Sequence, residues 1–240
     1  MPIFALYNLF QETEIVKLLK NWGVWDSLIG SFDTVADNTG RKSGACILLE
    51  REAGLALLYL ACRHHVYEVH VKRVATVVLG KTTSPQEPLF KLMEDNWNDL
   101  TKDKDHSGID YSNLKLFDWL SVEGSKLEDH AKTVLEFVES CLEKNVFPRS
   151  DYKELAQLIA LWLGAEVENY KFVIPKACHR ARFMAQSIYC LKYSLLSEQI
   201  DFLDPQELLK VSRMAKFVGL FHGYWFLRCP VAAESHLLDL

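Results

Sequence analysis

The stretch from Ser27 to Val35 suits a strand ending at Asp33, and residues 35–44, with ADNTGRKSG within them, form a turn region dense in Gly, Asn and Ser. A carboxylate at a strand end, beside glycine-rich backbone, can project into a cleft where the chain comes close to a phosphate. The plainer reading of Asp33 is a turn-capping or helix-capping residue, because Asp-Thr before a turn is common. Cys62 and His65 have the spacing of half a zinc site, and Cys46, Cys178 or His179 could complete four N/S ligands. Their plainer reading is a cysteine packed as a small apolar residue and a histidine hydrogen-bonded to backbone. Cys178 and His179 are adjacent, and neighbouring side chains on a helix diverge, which argues against a paired nucleophile and base.

Arg41, Lys42, Arg63, Arg180 and Arg182 are candidates for phosphate contacts, the arginines through their guanidinium forks. The net charge of -5 gives no global pull toward a polyanion, but the charges are segregated. Residues 41–81 hold seven Lys/Arg against three Glu, and 171–182 hold four Lys/Arg and no acid. Between them, residues 86–168 carry 18 Asp/Glu against nine Lys/Arg. A basic patch in an acidic chain is the footprint of a nucleic-acid site, and its bland counterpart is a solvated surface. Trp119, Trp162, Phe183, Tyr189 and Trp225 sit mostly on helical faces and read as core rather than as base-stacking platforms.

The elements that must position these residues follow from periodicity. Residues 1–22 read as an amphipathic helix, and the apolar runs Ala45–Glu50 and Leu55–Ala61 are short enough for buried strands. Together with the strand ending at Asp33, they would start an open mixed sheet over residues 1–80. Residues 62–79 read as a helix, and 80–113 as loop with one short helix near Leu89–Leu100. The pattern over 114–170 is helical, so 81–170 forms a mainly helical insertion with an acidic loop. Pro175 marks the entry to an amphipathic helix, Pro205 opens another over 206–221, and 228–240 loses periodicity. The six scattered cysteines suit a reducing, intracellular compartment. The N-terminus is a poor signal peptide, and no apolar run reaches the roughly 18 residues a membrane span needs.

The block FDTVADNTGRKSGACILLEREAGLALLYLACRHH resembles one found in the hAT transposases and their domesticated relatives. Asp33, Gly40, Gly44, Cys62 and His65 occupy its fixed positions, while Asp37 stands where the family often has Asn. A second block, CHRARFMAQSIYCLK, is similar to the family's Arg-Trp motif at Arg182-Phe183, with Phe in place of Trp. The resemblance implies an α/β fold with an RNase H-like mixed sheet, continued by helices over 171–240. It also implies that Asp33 is one of three acidic ligands holding two Mg²⁺ for DNA transfer. The second acidic position falls at Cys62, a poor ligand for a hard ion, and the final Glu is expected beyond this chain. The function implied is therefore a transposase-derived, nucleic-acid-associated domain with incomplete catalysis, in an intracellular, nuclear setting, with Mg²⁺ at Asp33 as its one candidate cofactor. Two alternatives stand beside it: a protein-interaction module of the same origin, and a metal-dependent nuclease fragment completed by a partner chain or a second copy.

Overall fold

A computed structural model describes residues 16–23, 25, 30–32, 38, 40, 44–54, 56, 59–81, 87–101, 125–168, 170–174 and 183–234. The chain divides into two compact units, Met1–Val69 and His70–Leu240.

In the first unit, β1 (Gly30–Phe32) pairs in parallel with β2 (Tyr59–Ala61), with Ser31 opposite Leu60. Helix α1 (Ala45–Ala53) lies between them in sequence. Ala45, Cys46 and Leu49 are its buried residues and cluster with Val16 of the helical segment 16–21, against which Trp25 packs. An exposed ion pair between Lys20 and Glu52, 3.0 Å, ties the same two segments together, and the Lys20 ammonium lies over the Trp25 ring. Gly54 ends α1 in the left-handed region at φ 69°, its N–H donating to the Glu50 carbonyl, a conformation that costs glycine little.

The α/β reading with an RNase H-like mixed sheet is corrected here. Among the described residues helices predominate, and the β structure is one parallel pair of three-residue strands, too small to be a mixed sheet. Ala45–Glu50, read as a strand, is helical because its buried positions 45, 46 and 49 fall at helical rather than alternating spacing.

Helix α2 (Arg63–Val78) continues past the boundary between the units and buries Val71 and Ala75. The second unit then has α3 (Pro88–Thr101), α4 (Ser125–Lys144), α5 (Ser150–Trp162), α6 (Phe183–Leu195) and α7 (Pro205–Phe217). A π-helical turn, Val218–His222, joins α7 to α8 (Gly223–Glu234). Helix formation at 228–234 corrects the expectation that periodicity is lost from residue 228.

Helix α6 is the centre of this unit. It packs on α5 and on α7, while α5 also meets α4 and α8. Helix α3 reaches α6 through Phe90, stacked on Tyr189 at 4.6 Å, and through the Leu89 carbonyl, which accepts from the Tyr193 hydroxyl. Trp162 and Tyr189, expected in the core, are buried. The start of α7 is set locally. Pro205 occupies its first turn, and Asp204 Oδ1 accepts from the N–H groups of Gln206 and Glu207.

Candidate functional site

Helix α2 turns one narrow side inward. At 100° per residue, Val71 and Ala75 fall on one face, and Arg63, His70, Arg73 and Val77 fall together on a stripe well away from it. All four stripe residues are exposed, Val77 at 84%. Lys72 is exposed on the flank between Arg73 and the buried face, and Lys81 follows the helix. Across residues 63–81 the one acid is Glu68, and it lies 3.2 Å from His65 Nδ1. Lys72 and Arg73 are in no ion pair among the described residues. The solvent side of α2 therefore carries clustered cations on a rigid rod of some 1.5 Å per residue.

No protein-family model, curated protein or solved structure matches the chain.

Of the residues singled out by spacing, Asp33, Arg41, Lys42, Arg180 and Arg182 lie outside the described residues, as do Cys178 and His179. Gly44 and Gly40 do meet: the Gly44 N–H donates to the Gly40 carbonyl at 2.8 Å, and a Cβ on Gly44 would overlap Gly40 backbone. Gly44 itself is extended, at φ -70°, so close approach rather than a left-handed turn is what calls for glycine there. Cys62 is half-buried between β2 and α2, and His65 faces Glu68 within the first turns of α2. Cys46 sits in the hydrophobic cluster, where burial and then Glu50 push its thiol up, away from the thiolate that zinc requires. Among the described residues no group of three or more His, Cys, Asp or Glu side chains converges to hold a metal.

Two buried polar sites in the second unit escaped the sequence reading. Lys192, on α6, is buried with its ammonium 2.6 Å from Glu154 Oε1 of α5; this is a charge contact rather than an aligned hydrogen bond. The same ammonium donates to the Val173 carbonyl at 2.6 Å and lies 5.3 Å from the Trp97 ring centre. A carboxylate, a carbonyl and an aromatic face together offset the cost of taking this charge from water. The signal was present in the sequence, because Lys192 stands four residues after Ile188 and three before Leu195, on an otherwise apolar stripe.

The second site is His222 in the π turn. Its ring is buried, stacked with Phe217 and near Phe226, and its Nδ1 has no hydrogen-bond partner among the described residues. Burial, and after it the charge of His70, lowers its pKa to about 4. Glycines bracket the turn. A Cβ on Gly219 would strike the Trp162 ring, and one on Gly223 would strike Ile159, so α5 approaches this backbone directly. His130 of α4 bonds through Nε2 to the Leu220 carbonyl at 2.7 Å, which gives one irregular carbonyl a donor. A histidine between two glycines four apart, inside an aromatic run, was the available clue.

Proposed function

We propose that this chain is a nucleic-acid-associated domain that binds the phosphate backbone through the solvent face of α2 and does not itself cut or join DNA. The observation that carries the reading is the exposed pair Lys72 and Arg73, in no ion pair among the described residues, with Arg63 exposed at the start of the same helix and its one acid beside His65. Guanidinium and ammonium groups held on a rigid helix can displace counterions from a duplex without ordering a flexible segment first. This continues the expectation raised by the hAT resemblance while setting aside the RNase H-like sheet. Absence of cleavage is expected because Asp33 alone matches an acidic ligand position, and two-metal chemistry needs several carboxylates.

Binding should be weak and indifferent to sequence. With about three phosphates neutralised, affinity should fall on the order of 40-fold between 50 and 200 mM salt. Fluorescence anisotropy with labelled duplexes of unrelated sequence, titrated at several salt concentrations, measures this. Replacing Arg63 and Arg73 by Glu should abolish binding at low salt and leave the circular dichroism spectrum unchanged. Wild-type protein that fails to bind at low salt, or a variant that binds as well as wild type, would remove the reading. Strand cleavage with Mg²⁺ that disappears in Asp33→Ala would replace it with the nuclease alternative.

A further inference from the structure

A cleft of about 330 Å³ opens between the end of α6 and the start of α7. Tyr193, Leu208 and Leu209 supply apolar wall, and Ser194, Ser197 and Ser212 bring hydroxyls to it. Ser194 already accepts from Trp162 Nε1 at 3.0 Å. Leu209 is 46% exposed, so a large aliphatic side chain stands in water at the edge of a concave apolar surface. The volume is at the low end for ligand pockets, which favours one anchoring side chain over an extended cofactor.

The charge around the cleft has an acidic excess. Residues 193–213 contain Glu198, Asp201, Asp204 and Glu207 against Lys210 and the exposed Arg213. Asp204 is engaged in capping α7, and Glu207 pairs with Lys210 at 2.9 Å. Glu198 and Asp201 are exposed, are in no ion pair among the described residues, and lie on the connection whose two ends, Ser197 and Pro205, line the cleft. Lys192, just before this segment, is buried against Glu154 and contributes no neutralising charge at the surface.

We infer that the cleft docks a cationic peptide segment of a partner protein. An aliphatic side chain of that segment fills the space beside Leu208 and Leu209, and flanking Lys or Arg residues face Glu198 and Asp201. Charge complementarity selects the partner's sign, and the apolar anchor supplies the desolvated contact that dominates such interfaces. The face of α2 that carries the nucleic-acid reading is a different surface, so the two inferences stand or fall separately.

The test uses the full chain with two short labelled amphipathic peptides, one of Lys and Leu and one of Glu and Leu. The Lys/Leu peptide should bind and the Glu/Leu peptide should not. Leu209→Asp should weaken the Lys/Leu complex at least about tenfold, a change near 1.4 kcal/mol. The double substitution Glu198→Lys, Asp201→Lys should reverse the preference, which a merely unfolded variant cannot do. Arg73→Glu should leave peptide binding unchanged. Equal binding of both peptides, or binding indifferent to Leu209→Asp in a variant with unchanged circular dichroism, would overturn the proposal. So would concentration-dependent self-association of the wild type that Leu209→Asp removes, because a second copy would then be the occupant.

Discussion

Burial, with His70 adding to it, holds the His222 imidazole neutral down to a pKa of about 4, whereas in the unfolded chain it titrates in the ordinary histidine range near 6.5. Below that range the unfolded state takes up a proton that the folded state refuses. Stability from this residue is therefore complete above about pH 6.5 and is lost as pH falls toward 4, by at most about 3 kcal/mol. His222→Phe keeps an aromatic ring between Phe217 and Phe226 and removes both the titration and the unpartnered Nδ1. Urea unfolding midpoints at pH 7 and pH 4.5 should differ for wild type by clearly more than for the variant. Parallel pH dependence of the two proteins would mean that His222 is not the group responsible. The histidine that titrates against the fold was hidden from sequence reasoning because nothing in KFVGLFHGYWF says which of its rings is enclosed. The reverse holds for Asp33 and the arginines at 180 and 182, which spacing picked out and which lie outside the described residues.

Long helices were legible where apolar residues recur at helical spacing. Residues 62–79, expected as a helix, fold as α2, and the helix expected near Leu89–Leu100 is α3 at Pro88–Thr101. The helix opened by Pro205 runs as expected but acquires a π turn at Val218–His222. Ala45–Glu50 reads as a strand because five apolar residues in a row are too few for periodicity to separate strand from helix. The deciding signal was downstream, in Gly54, a left-handed cap that belongs to a helix end. Close approach between elements was not legible at all, since Gly219 and Gly223 could as well have been flexible positions. Their roles can be separated by measurement. Gly219→Ala would press a methyl into the Trp162 ring, which Ser194 holds from its other side, whereas Gly223→Ala meets the movable end of Ile159. Overpacking costs about 1–3 kcal/mol, offset by up to about 1 kcal/mol of helix propensity. Thermal midpoints should rank Gly219→Ala as the more damaging change. Combining Gly223→Ala with Ile159→Val should cost less than the sum of the two single changes. Strict additivity, or the opposite ranking, would contradict the packing described for α5.

At the scale of the whole molecule, the second unit is organised around one helix. From Ser187 to Tyr193 every residue of α6 is buried, and α3, α5 and α7 all lie against it. Amides in such a segment exchange with solvent only when the unit opens as a whole, while those at frayed ends exchange through small local openings. Hydrogen exchange followed by mass spectrometry should therefore find the slowest peptides in 187–193 and faster ones on the exposed side of α2. Early exchange across 187–193 would show that the helices separate independently. The buried Lys192 gives this arrangement a further consequence. Because its ammonium joins α6 to Glu154 and to the Val173 carbonyl, α6 cannot slide free of α5 without exposing or stranding a charge. A protease that needs a loosened segment would then find none along α6 short of global unfolding. The survival time of this unit in a cell would be governed by its rarest fluctuation, not by its most frequent ones.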